Sequence, residues 1–217
     1  MTGRDMLAAL GVEPADVVSQ HARLTIDFAV LPAIWLPCPP AFPAGADVTT
    51  WASESAELWW ENSGLKHRRK DVTLLAETLA GIHGIIYAPD TPLFFHFALL
   101  HLPERISPLP VMFGVWPAVG DRDTQLNTLT GIGSPDLAKP PIVEEFRTDR
   151  LGNGLKVMAY TRFGQGPGIG ATISYAWRSD ELQTALRIFA AGGDLGRIQR
   201  ALPDLDTLAH ATGLAPK

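Results

Sequence analysis

A chain of 217 residues, 46% apolar and 19% charged, has the composition of a globular protein and the length to bury a core without disulfide or metal staples. Its formal charge of −5 argues against a general nucleic-acid binder, which would present a basic face. A lone cysteine, Cys38, excludes an internal disulfide, and the longest apolar run, "AVLPAIWLPCPPAF", is cut by prolines and too short to span a bilayer.

The N-terminal stretch is interrupted by Glu13, Pro14 and Asp16 and lacks the apolar core of a signal peptide. With the single cysteine, this points to a cytoplasmic protein. "GRDMLAALG" and "PADVVSQHA" read as short helical turns, an appendage over residues 1–21. Leu24, Ile26 and Phe28 then alternate with Arg23, Thr25 and Asp27, the period-two pattern of a half-buried strand. That strand runs toward Trp35 and stops at "PCPPAFPAG", because prolines cannot fill a central strand.

"DVTTWASESAELWWENSG" predicts a helix capped by Asp47 or Thr49 and ended by Gly64, with Trp51, Leu58 and one of Trp59 or Trp60 on a common face. The basic run "KHRRK" follows. Asp71 caps a second helix, in which Leu74, Leu75, Leu79 and Ile82 repeat at helical spacing. "LFFHFALLHL" and "PLPVMFGVWPAV" are aromatic-rich apolar runs bounded by Pro and Gly and read as strands. "GDRDTQLNTLTGIGSPDLAKPP" reads as a loop with one short helix. "VEEFRTDRLGNGLKVMAYTRF" predicts a hairpin turning at Gly152-Asn153-Gly154. "ATISYAWRS" is a further strand. Leu182, Leu186 and Phe189 make a helical stripe in "DELQTALRIFAAGG", and "DLGRIQRALPDLDTLAHAT" reads as two short helices separated at Pro203.

Consecutive strands with tight connections favour an α+β fold, an antiparallel sheet of about five to seven strands with helices packed mainly on one face. The expected organisation is a single domain over residues 1–217, with residues 194–217 a C-terminal helical extension. Alternating βαβ units are absent, which argues against a Rossmann-like domain.

The strand ending "IWLPCPP", the helix after it, the meander with its "GNGLKVMAYTRF" hairpin and the C-terminal "DELQTALRIFAA" helix together resemble the PsbP-like fold. Small actinobacterial proteins and lipoproteins share this layout, and the Ala, Gly, Pro and Arg richness fits a high-GC bacterium. The resemblance covers roughly Leu24 to Ala191. It implies a binding or accessory role without an active site, and it carries no functional residues over. This chain lacks a lipobox, so no membrane anchor is implied.

"GQGPGIG", Gly164 to Gly170, is the one glycine-rich stretch that could cradle a phosphate. A dinucleotide fingerprint needs a G-x-G-x-x-G spacing and a following helix. Here Ile169 breaks the spacing and the next residues are β-branched and aromatic, so the run reads as a hairpin connection. His96 and His101, five apart on one strand, point to opposite faces, and Cys38 has no partner, so no metal or cofactor set emerges. Asp121 and Asp123 read as a solvated turn. There is no Gly-x-Ser-x-Gly elbow, and the adjacent Glu144 and Glu145 diverge too far for a carboxylate dyad. Enzymatic activity is left open, and the balance favours a non-catalytic role.

Two surfaces stand out. Trp59, Trp60, Lys66, His67, Arg68 and Arg69 form a candidate interaction surface, since tryptophan and arginine are common interface anchors. Trp35, His96, Trp116 and Tyr175 are candidate linings of an apolar pocket between sheet and helices. Phe95 and Phe97 join that lining, and His96, His101, Arg147 and Arg178 are the titratable groups expected nearby. The leading reading is an interaction or accessory protein whose partner is another protein. The alternatives are a small-molecule binder or enzyme using that pocket, and an immunity or antitoxin-like protein.

Overall fold

The computed structural model describes residues 8–29, 33–87, 97–102, 108–162 and 168–217. In chain order its elements are α1 (Pro14–Arg23), β1 (Leu24–Phe28), β2 (Trp35–Cys38), α2 (Val48–Ser63), α3 (Arg69–Ile86), β3 (Phe97–His101), β4 (Leu109–Pro117), α4 (Arg122–Thr130), β5 (Ile142–Thr148), β6 (Gly152–Arg162), β7 (Ile169–Ser179), β8 (Thr184–Gly192), α5 (Leu195–Ala211) and β9 (Thr212–Pro216). The chain divides into two compact units. The larger is Met1–Leu31, Pro92–His96 and Val111–Lys217; the smaller is Pro32–Thr91 and Phe97–Pro110.

The fold is α+β with an antiparallel sheet, as the residue pattern implies. In the larger unit the strands run β4-β8-β7-β6-β5, every neighbouring pair antiparallel. β1 and β9 form a separate ribbon, registered from Leu24↔Pro216 to Phe28↔Thr212. Side chains alternate across the sheet, so its two faces carry different residues. One face presents Trp116, Ala176 and Ala185, which cluster with Leu126 and Leu129 of α4, Val17 of α1 and Val12. The other presents Tyr175, over which α5 lies through Asp206. Helices of this unit lie over both faces of its sheet.

Local chemistry starts the helices. Asp47, Asp121 and Asp194 each accept a backbone N–H from the first turn, at 2.8, 2.9 and 2.9 Å. Gly64 (φ 66°) and Gly131 (φ 81°) end α2 and α4 in the left-handed region that glycine enters without steric cost.

Four elements of the larger unit differ from what the residue pattern suggests. "TALRIFAAG" is strand β8, not a helix. It sits between β4 and β7 and is buried on both sides, so its apolar residues need not alternate and mimic a helical stripe. α5 is one continuous helix through Pro203. Pro203 is exposed while Ile198, Ala201, Leu205, Leu208 and Ala209 bury one face, so packing outweighs a single missing hydrogen bond on the wet side. The β5–β6 turn is Asp149–Leu151, three residues earlier than expected, and Gly152 (φ 72°) already opens β6. The segment after residue 194 ends in a strand, β9, as well as a helix.

In the smaller unit β2 pairs β3 from Trp35↔His101 to Cys38↔Ala98. α2 packs along α3. The buried face of α2 is Ala52, Ala56 and Trp60, while Leu58 is 57% exposed. The face proposed from Trp51 and Leu58 is thus rotated toward the alanines, which let the helices approach closely. Leu75, Leu79 and Ile86 bury the matching face of α3, and Leu74 points outward.

Candidate functional site

The residues singled out from sequence are placed as follows. Trp60 is buried in the smaller unit. Trp59 is half-buried, donates from its indole Nε1 to the Leu102 carbonyl at 3.2 Å, and meets the Trp60 ring edge-on at 4.8 Å. His67 stacks on Trp60 at 5.3 Å. The tryptophans therefore anchor α2 within its own unit. Lys66, His67, Arg68 and Arg69 are exposed. The Arg68 N–H donates to Asp71 at 2.8 Å and Arg68 is the N-cap of α3, so part of the basic run completes a helix end. Arg69 lines a groove of about 390 Å³ between α2 and α3, together with Glu57 and Glu77.

Among the described residues, Trp116 and Tyr175 of the expected pocket do not line a common cavity. Trp35 is packed on the buried His101 ring at 4.7 Å in the smaller unit. Trp116 and Tyr175 are both buried, on opposite faces of the larger unit's sheet. His96 and Phe95 lie outside the described residues. Arg178 is spent on Asp180 at 2.7 Å and on the Gly120 carbonyl at 2.8 Å. Of "GQGPGIG", residues 164–167 lie outside the described residues. Thr161↔Gly170 and Arg162↔Ile169 are paired, so the run joins two adjacent antiparallel strands and leads into β7 rather than a helix.

Beneath α5 the larger unit holds a polar network. Tyr175 donates its hydroxyl to Asp206 at 2.7 Å, and Lys156 reaches the same carboxylate at 2.8 Å and Glu144 at 3.7 Å. Phe146, Tyr175 and Trp177 wall it, with His210 on Phe146 at 4.9 Å. Burial, then the Asp206 carboxylate, pushes the Tyr175 phenol above its ordinary range. It stays protonated as a donor, and the network ties helix to sheet. In the smaller unit, burial pushes the Cys38 thiol up to about 12, far from the thiolate a nucleophile needs. Among the described residues no three His, Cys, Asp or Glu side chains come together as a metal set.

The open feature is β5. It ends the strand order and pairs only with β6 among the described residues. Its residues are exposed almost throughout, Ile142 at 49% and Val143 at 47%. A groove of about 530 Å³ runs beside it, lined by Arg122, Asp123, Leu126, Glu145, Arg147 and Leu155 among others. Arg122 is tied to the Arg178 and Asn153 carbonyls. Glu145 and Arg147 alternate on the groove side of the strand, and neither forms an ion pair or side-chain hydrogen bond among the described residues. An edge strand leaves a row of backbone donors and acceptors able to accept another strand. The sequence signal for it is "PPIVEEFRT": two prolines, then apolar and charged residues on a strand with no clear inward face.

No protein-family model, curated protein or solved structure matches this chain. Among the described residues, no helix is long and apolar enough to cross a membrane.

Proposed function

We propose that this is a non-catalytic interaction protein that engages another polypeptide through the outer edge of β5 and the groove beside it. The observation that carries the reading is β5 itself, a seven-residue edge strand with Ile142 and Val143 half exposed and with Glu145 and Arg147 in no ion pair among the described residues. The internal use of the other conspicuous polar groups supports it. Tyr175, Lys156 and Asp206 satisfy one another, and Cys38 is held as a neutral thiol. The PsbP-like resemblance, which implies an accessory role, agrees with it, although "TALRIFAAG", within one of the elements behind that resemblance, is strand β8.

The test is amide hydrogen exchange on a purified complex with any stoichiometric partner. Slowed exchange over Ile142–Thr148 is the expected result. A partner that slows exchange only elsewhere, or turnover of a substrate that persists when the β5 edge is blocked, sinks the reading.

A further inference from the structure

We propose that the occupant of the β5 edge is a second copy of this chain, paired antiparallel with Phe146 on the two-fold axis. The inference rests on the reading that β5 is the interaction edge. It comes from the order of charges along that strand.

When two identical edge strands join antiparallel into one continuous sheet, the two-fold axis stands perpendicular to the sheet. The residue on the axis faces its own copy, and residues equally far on either side face each other from the same sheet face. Each register of β5 (Ile142–Thr148) can then be checked against its charges. With Glu144 or Glu145 on the axis, a glutamate faces a glutamate. With Arg147 there, arginine faces arginine. Like charges directly opposite are unfavourable in a sheet. Registers centred on Ile142, Val143 or Thr148 bring Pro140 and Pro141 or the Asp149–Leu151 turn into the ladder, and none of them sets a glutamate opposite an arginine.

Phe146 on the axis is the remaining register, and it is complementary. Glu145 faces the second copy's Arg147, and Arg147 faces its Glu145, so two cross-strand ion pairs form on the groove side. The two Phe146 residues face each other through their backbones, each ring turned inward onto Tyr175, Trp177 and His210 of its own chain. Thr148 is buried within its own chain, so the open ladder is the three residue pairs from Glu145 to Arg147. Edge strands commonly carry charge to repel other edges. Here the glutamate and arginine, two residues apart, repel edges of one sign and match this edge itself. The pairing also gives Glu145 and Arg147 the ionic partners they lack among the described residues. One short ladder is a small interface, so the dimer is weak and reversible.

The experiment is sedimentation velocity of the full chain over roughly a hundredfold concentration series. Wild type is expected to shift from monomer to dimer across it. Glu145→Arg and Arg147→Glu, each folded by far-ultraviolet circular dichroism, should each weaken dimerisation by about tenfold or more. An equimolar mixture of the two variants should recover it, because the cationic edge of one meets the anionic edge of the other. E145R/R147E in a single chain should recover it too. Wild type that stays monomeric throughout overturns the inference, as do single variants that dimerise like wild type or a mixture that recovers nothing. If the chain is monomeric yet a different protein slows exchange over Ile142–Thr148, only this inference falls. If nothing protects that strand, the functional reading falls with it.

Discussion

The indole of Trp177 lies against Gly154, its registered partner on β6. A Cβ placed at Gly154 would come to 2.5 Å from Trp177 Cδ1 and 2.7 Å from its Nε1. The missing side chain is the seat of the ring, which is parallel to Tyr175 at 6.2 Å and near Phe146 at 6.0 Å. Backbone of β7 closes the same space, so relaxation there is restricted. Gly154→Ala is expected to destabilise the larger unit by about 1–3 kcal/mol, the usual cost of overpacking. Urea denaturation followed by tryptophan fluorescence measures it. A midpoint equal to wild type would show that the ring moves aside freely.

Tyr175 sets an alkaline limit to stability. Its phenol is raised in the folded state, first by burial and then by the Asp206 carboxylate. A group whose folded pKa is raised contributes fully below its unfolded pKa, about 10 for tyrosine, and the contribution drains as pH rises toward the folded value. The expected slope is about 1.4 kcal/mol lost per pH unit above pH ~10. Tyr87 is shifted in the same direction, chiefly by burial, and adds to it. Tyr175→Phe should cost about 1 kcal/mol at neutral pH, the net worth of one hydrogen bond, and should flatten the alkaline limb. Denaturation midpoints between pH 8 and 11 decide this. A variant as alkali-sensitive as wild type would remove Tyr175 from the account.

Much of this fold is legible where the cause is local. Asp47 and Gly64 bracket α2 as read, because caps act through neighbouring residues. The β6–β7 hairpin is legible because alternation on both sides of a glycine run has few other readings. β8 is not, since a strand buried on both faces carries Ala185, Leu186, Ile188, Ala190 and Ala191, which suit a helix equally well; only its neighbours β4 and β7 decide. The candidate site escapes for the same reason. Glu145 and Arg147 are visible in the chain, but which strand ends a sheet is a property of long-range pairing. Trp59 and Trp60 draw attention by composition and are spent on packing within the smaller unit.

Cys38 should behave as a protected thiol. It is 1% exposed, and burial pushes its pKa up to about 12, so at pH 8 the reactive thiolate is a trace species. A disulfide exchange reagent is expected to label native protein only as fast as β2 opens, and to label urea-unfolded protein at the rate of a free cysteine. Rapid stoichiometric labelling under native conditions would contradict this environment.

Arg150 fastens the tip of the β5–β6 hairpin to the β1–β9 ribbon. Its guanidinium donates to the Ala211 carbonyl at 2.7 Å and to Asp27 at 2.8 Å, and it lies across Gly213, where a Cβ would come to 2.5 Å from its Cζ. The side chains are 32% and 46% exposed, so the ion pair itself is weak, on the order of 0.5 kcal/mol. The fork geometry does more than the charge, because one planar group satisfies a helix-terminal carbonyl and a strand carboxylate together. Arg150→Ala should lower global stability by about 1 kcal/mol and speed amide exchange selectively at the hairpin tip around Gly152. Arg150→Lys, which keeps the charge and loses the fork, should recover only part of the protection. Exchange at the tip unchanged in both variants would mean that the turn holds its position through the Thr148 and Gly152 backbone alone.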